Sequence, residues 1–173
     1  MTLEESKLHE LNRFAKQIRL NTLECLNHLG FGHYGGCLSV VEALAVLYGE
    51  IMPMTPDKFK ETDRDYFVLS KGHAGPALYS TLYLKGFFEK EFLFSLNTNG
   101  THLPSHPDRN LTPGVDMTTG SLGQGISVAT GIAYGQKVKN LSNYTYTIVG
   151  DGELNEGQCW EAIQFPAHQQ LDN

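Results

Sequence analysis

Leu8, Leu11, Ala15 and Ile18 recur at three- and four-residue intervals in a polar stretch, the spacing of an amphipathic helix. Thr2 with Glu5 reads as a capping box that opens this helix, and Gly30 after Leu29 as its stop. The turn-like Phe31-Gly32-His33-Tyr34-Gly35-Gly36 follows. Ser39 with Glu42 predicts a second capping box, and Val40 to Leu47, apolar nearly all round, predicts a buried helix. Pro53 and Pro56 mark a loop.

Tyr66 to Leu69 is apolar and short, a buried strand that ends in Ser70-Lys71-Gly72-His73-Ala74. A helix is predicted through Leu78, Leu82 and Leu84, stopping near Gly86, and a further short one from Phe88 to Leu96. Residues 97–114, rich in Asn, Pro, Thr and Gly, predict a long loop, and a loop of that length in a compact domain is more often functional than idle. Gly123-Gln124-Gly125 opens a helix through Val128, Ile132 and Val138. Tyr144 to Val149 is the last strand, and Trp160, Ile163, Ala167 and Leu171 line one face of the last helix.

Strands separated by helices indicate an α/β fold, a mostly parallel sheet flanked by helices on both faces. Ligands of such folds bind beyond the carboxyl ends of the strands. His73 and Asp151 both fall at that edge. A crossover helix normally returns as a parallel strand. Here the sequence ends at Asn173, directly after the last helix. Residues 1–173 are therefore expected to form one domain that is incomplete at its C-terminal end, with an exposed strand edge.

Composition narrows the possibilities. A chain of 173 residues can bury one sizeable core. With a net charge of −6 and no Lys/Arg cluster, it shows no footprint for a nucleic acid or an acidic membrane surface. The longest apolar run, Val40 to Tyr48, contains Glu42 and is too short to span a bilayer. The amino terminus is acidic and unlike a secretory signal. Three cysteines without a Cys-x-x-Cys imply neither a disulfide framework nor a zinc ribbon, so a reducing cytoplasmic setting is expected.

The richest chemistry lies in Ile148-Val149-Gly150-Asp151-Gly152-Glu153-Leu154-Asn155-Glu156-Gly157, where an apolar strand runs into a Gly-Asp-Gly turn and then a helix. One carboxylate stands between two residues without side chains. Backbone can approach a ligand there, and Asp151 can hold a hard cation such as Mg²⁺ beside phosphates. Gly120-Ser121-Leu122-Gly123-Gln124-Gly125 sits at a helix start, where free N–H groups favour phosphate or another polar group. Its glycines do not follow the G-x-G-x-x-G order, so a dinucleotide site is a poor fit. His33, His73 and His106 each stand beside Gly or Pro, which suits rigid loops, and each can donate to a phosphate or substrate oxygen. They lack the close spacing of a zinc site. His9, His28 and His168 fall in predicted helices as surface residues, and His102 fits either role. No Gly-x-Ser-x-Gly elbow is present.

Five motifs in order along the chain together resemble the N-terminal, diphosphate-binding part of a transketolase, in the form split into two subunits. They are Gly32-His33-x-Gly35-Gly36; Asp63-Arg64-Asp65 before Phe67 to Ala74; His106-Pro107-Asp108; Thr119 to Gly125; and Gly150 to Gly157 with Trp160-Glu161-Ala162. The resemblance implies a thiamine diphosphate-binding fold, with Mg²⁺ or Ca²⁺ bound by Asp151 and the diphosphate facing the backbone at Gly150 and Gly152. It implies that His73 sits by the diphosphate and the reacting carbon, while His33 and His106 hold substrate hydroxyls and assist proton transfer. Backbone at Gly120 and Leu122 would meet the aminopyrimidine ring. Glu156 would join the carboxylate network between paired active sites.

The implied reaction moves a two-carbon ketol unit from a ketose phosphate to an aldose phosphate, with thiamine diphosphate as the electron sink. It needs a partner, the transketolase C-terminal subunit carrying the pyrimidine-binding domain and its catalytic Glu, in an oligomeric assembly. The isolated chain is accordingly expected to be inactive. Three departures stand out. The family places a second metal ligand, an Asn, on the loop after the next strand, whereas this sequence ends at Asn173, 22 residues after Asp151. Ser105 replaces a Gly before His106. Pro166 interrupts the final helix, where Pro costs about 3 kcal/mol. An inactive interaction protein that keeps the subunit interface, or a fragment of a longer subunit, is the alternative reading. A deoxyxylulose-phosphate synthase or pyruvate dehydrogenase type of thiamine enzyme fits the Ser-Lys-Gly-His-Ala pattern less well.

Overall fold

The computed structural model describes residues 4–52 and 54–173. Thr2 and Pro53, read above as a cap and a loop marker, lie outside the described residues. The first helix, α1, runs Glu5–Leu29, with Glu4 at its N-cap, and closes on left-handed Gly30, whose N–H donates to the Leu26 carbonyl. Leu11, Ala15, Ile18, Thr22, Cys25 and Leu26 form its buried stripe, whereas Leu8 is half exposed. The stripe therefore starts one turn later than its spacing predicts.

The turn after Gly30 leads into α2 (Tyr34–Leu38) and α3 (Val41–Val46), continued by a π-helical turn at Leu47–Ile51. The second capping box does not form. The Ser39 hydroxyl donates instead to the Gly36 carbonyl and accepts from Lys71, while Glu42 pairs with Arg19. Residues Tyr34–Ile51 reach a mean hydropathy of 1.3, enough by length and composition to cross a membrane. They are broken at Ser39–Val40, and Cys37, Val40, Val41, Leu44, Ala45 and Tyr48 are buried in the core. A buried core segment meets that composition test as readily as a membrane span does.

Strand β1 (Tyr66–Leu69) pairs in parallel with β2 (Thr145–Ile148), Tyr66 opposite Thr145 and Leu69 opposite Ile148. Between them come α4 (Gly75–Leu84), the single turn α5 (Lys90–Leu93) and α6 (Gln124–Val138). The helix expected over Phe88 to Leu96 shrinks to this turn, since Leu93 and Leu96 reach the core without a longer helix. Helix α4 packs on α1 and α3, and α6 packs on both strands and on α7 (Gly157–His168). The fold is α/β with a parallel sheet flanked by helices. Its main core joins α1, α3, α4 and β1, where each fully buried Leu or Ile contributes about 1.5–3 kcal/mol.

Two expected helix faces are rotated. Gly125, Ile126, Ala129, Ala133 and Gln136 form the buried side of α6, and Val138 is exposed. In α7 Cys159 and Ala162 are buried, while Trp160 and Ile163 are exposed. Pro166 lies inside α7 and cannot donate to the Ala162 carbonyl; the Thr130 hydroxyl approaches that oxygen at 3.4 Å. Beyond α7 the chain turns back, and the Asn173 carbonyl accepts from the Thr145 N–H at 2.9 Å. Asn173 thus lies alongside β2, on the edge away from β1.

The amino end of the strand pair is braced by charge. Arg64, 5% exposed, donates to Asp116 at 2.6 Å and lies over the rings of Phe59 and Tyr66. The other Asp116 oxygen accepts from the Phe67 N–H, and Asp65 accepts from the Tyr144 N–H. Removing one member of a buried ion pair leaves an uncompensated charge and costs about 3–5 kcal/mol. Asp116→Ala is expected to lower unfolding stability by about that amount in urea titration; a loss below about 1 kcal/mol would show the brace to be dispensable.

Candidate active site

Because β1 and β2 are parallel, both deliver their following loops to the same edge. The Ser70 N–H donates to the Ile148 carbonyl, which sets the start of the Ser70-Lys71-Gly72-His73 loop beside the Gly150-Asp151-Gly152 turn. The long connection between α5 and α6 is pinned over this edge. Tyr79 donates to the Pro104 carbonyl, the Thr119 N–H to the Pro107 carbonyl, and the Thr119 hydroxyl to the Leu69 carbonyl at 2.7 Å. These bonds bring His106 and Gly120 together above the end of β1.

Glycine is needed where the loops touch. A Cβ on Gly72 would lie 2.7 Å from the Gly120 backbone, and one on Gly120, at φ 145°, would lie 2.9 Å from the His106 ring. The imidazoles of His33 and His73 stand 5.2 Å apart. His33, His73 and His106 share a recess of about 60 Å³ with Leu26, Phe31 and Leu96. The three loop histidines singled out in the sequence therefore converge. His33 and His106 are exposed and His73 is half buried. Burial, and next the positive charge available at His33, lower the His73 pKa below 6.5, with Lys71 and His106 adding to the effect.

Asp151 and Gly152 are exposed at the end of β2, and a Cβ on Gly152 would meet nothing within 4 Å. No protein hydrogen bond or ion pair engages the Asp151 carboxylate among the described residues. It is a hard oxygen donor beside open space, which fits a divalent cation next to a phosphate. Among the described residues no three His, Cys, Asp or Glu side chains gather as a metal set, so such a cation must draw on other oxygens. Leu122 is exposed, and its carbonyl accepts from Gln158 at 2.9 Å, so α7 holds the glycine-rich loop. Glu156 is exposed at the N-cap of α7. Ser105, in the place of a Gly, bonds to Asn97 through its hydroxyl and leaves His106 in the recess. His9, His28, His102 and His168 are exposed and outside it.

Two buried charged groups here lie within the sequence motifs, which assign neither a role. Lys71, 8% exposed, donates to Ser39 at 2.8 Å. Glu153 is 2% exposed. One of its oxygens accepts from the Ser70 hydroxyl at 2.6 Å and the Gly123 N–H at 2.8 Å; the other accepts from the Gly150 N–H at 2.9 Å.

Loops that converge on one edge of parallel strands, around an unengaged carboxylate and three histidines, define an α/β domain with a ligand-binding edge. Residues 11–173 match the family model described as transketolase, thiamine diphosphate binding domain, and the chain belongs to that family. It is 52% identical over 164 residues to the 6-deoxy-6-sulfo-D-fructose transketolase subunit SqwG of Clostridium sp. (strain MSTE9), covering 95% of this chain and 60% of that protein. It is 45% identical over 159 residues to an apulose-4-phosphate transketolase subunit from Phocaeicola vulgatus, covering 92% and 56%. The solved transketolase from Leishmania mexicana superposes with a TM-score of 0.85 at 33% identity, over 91% of this chain and 25% of that one. The chain thus spans less than two thirds of each of these relatives.

The lowered His73 pKa makes a testable pH dependence. The folded protein resists protonating His73, whereas the unfolded chain accepts the proton near pH 6.5. The His73 contribution to stability is therefore complete above pH 6.5 and is lost as pH falls towards the folded-state value. Imidazole NMR titration is expected to give a His73 midpoint below 6.5, and His33→Asn is expected to raise it. A midpoint at or above 6.5 would contradict the site electrostatics.

Proposed function

We propose that the chain is the N-terminal, thiamine diphosphate-binding subunit of a split transketolase, and that the edge described above is its half of the active site. The observation that carries this reading is the convergence of His33, His73 and His106 with the Gly-Asp-Gly turn and the glycine-rich loop. In this reading Asp151 holds Mg²⁺ or Ca²⁺, backbone at Gly150 and Gly152 faces the diphosphate, and Gly120 and Leu122 face the aminopyrimidine. When bound, thiamine diphosphate supplies the electron sink for breaking a carbon–carbon bond next to a carbonyl. His73, neutral at pH 7, accepts or donates a proton near the reacting carbon, and exposed His33 and His106 orient the hydroxyls of a sugar phosphate. The named substrates of the two subunit relatives, 6-deoxy-6-sulfo-D-fructose and apulose 4-phosphate, support a substrate class of ketoses carrying an anionic group.

The partner in this reading is a C-terminal subunit with the pyrimidine-binding domain, within an oligomer. Leu122, Leu154, Trp160 and Ile163 are exposed apolar side chains on the elements flanking Glu156, which supports an interface on that side. Unbridged Cys25, Cys37 and Cys159, all buried, support a reducing cytoplasmic location.

Calorimetry with thiamine diphosphate and Mg²⁺ tests the proposal on the chain itself. Saturable uptake is expected, and Asp151→Ala is expected to weaken it by more than about tenfold, or about 1.4 kcal/mol. Uptake unchanged by Asp151→Ala would remove Asp151 from the metal site. No uptake, with tight binding to a transketolase C-terminal subunit, would favour the non-catalytic interaction protein.

A further inference from the structure

Glu153 is the most buried carboxylate at the site edge, at 2% exposure, and no cation pairs with it among the described residues. A buried charge without a counter-ion persists only when hydrogen bonds satisfy it. Its three donors come from three different loops. The Ser70 hydroxyl belongs to the loop carrying His73, the Gly123 N–H follows Leu122 in the glycine-rich loop, and the Gly150 N–H directly precedes Asp151. Ser70 extends the set, because its hydroxyl oxygen accepts from the Ile126 N–H in the first turn of α6 at 3.0 Å. The positive end of α6 thus faces the carboxylate directly and through Ser70.

We infer that Glu153 is a positioning residue that locks the His73 loop, the glycine-rich loop and the metal turn into one preformed cofactor cradle. This rests on the cofactor reading above. Glu153 is not itself a ligand, since both oxygens are committed inward and the side chain is sealed from solvent. Three donors aimed at one carboxylate leave each loop little freedom to shift alone. Without the lock, cofactor binding would have to order the loops, and that cost would appear as lost affinity. A neutral amide cannot replace the carboxylate. In either orientation its NH₂ group would face a backbone N–H, that of Gly150 or that of Gly123, and leave it without an acceptor.

The test uses Glu153→Gln and two measurements on the whole chain. Amide hydrogen exchange reads the lock without any ligand: exchange at Gly123, Ile126 and Gly150 is expected to rise together, by about tenfold or more. Calorimetry with thiamine diphosphate and Mg²⁺ is expected to show a parallel loss of affinity. Thr22→Val, which removes a buried hydroxyl of α1 bonded to Ser80, serves as a control for general destabilisation. It is expected to lower the unfolding midpoint yet leave affinity unchanged. If Glu153→Gln does not fold, Ser70→Ala keeps both N–H bonds to the carboxylate and is expected to move Ile126 exchange and affinity in the same direction, by less. Faster exchange at Gly150 alone would overturn the proposal, as would an affinity loss no larger than that of Thr22→Val. If wild-type protein takes up no thiamine diphosphate, the cofactor reading fails, while the exchange pattern still decides whether Glu153 locks the three loops.

Discussion

The parallel pairing of β1 with β2 is the constraint on which the site depends. Two strands far apart in sequence run in the same direction, so the loops that follow them emerge side by side. An antiparallel pair would send the His73 loop and the Asp151 turn to opposite ends of the sheet. Everything else at this edge refines that arrangement. The loop between α5 and α6 is tied to the end of β1 through Thr119, and close contact between Gly72 and Gly120 brings backbone to backbone.

Buried carboxylates serve both ends of the strand pair, in different ways. At the amino end Asp116 is matched by Arg64 and by the Phe67 N–H, an arrangement that fixes strand position. At the carboxyl end Glu153 has only hydrogen-bond donors, and the carboxylate two residues earlier, Asp151, is exposed and without a protein partner among the described residues. One turn thus holds both a buried, fully bonded acid and an exposed one. Burial makes Glu153 structural, and exposure makes Asp151 available.

Much of this is legible in the residues. The apolar run Tyr66 to Leu69 is β1 with the same bounds, and Gly30 and Gly123 mark helix ends where left-handed backbone is observed. The three loop histidines are recognisable from their Gly and Pro neighbours, and the structure brings them into one recess. What the residues do not reveal depends on partners distant in sequence. Ser39 and Glu42 have the spacing of a capping box, but Lys71 and Arg19 claim them. Glu153 looks like any acid at a helix start. Two of its three donors lie 83 and 30 residues away, and no local pattern marks that. The exposed face of α7 has the periodicity of a core face, because spacing shows that a stripe exists without showing what it meets.

The central claim is that the loops at this edge form a single cation and diphosphate site. Paramagnetic broadening by Mn²⁺, substituted for Mg²⁺ in the presence of thiamine diphosphate, tests it most directly. The account predicts that amide signals of Gly150 to Gly152 broaden first, followed by those of the glycine-rich and His73 loops, and that omitting thiamine diphosphate weakens the effect. Broadening scattered over the acidic surface, with Gly150 to Gly152 left sharp, would contradict it.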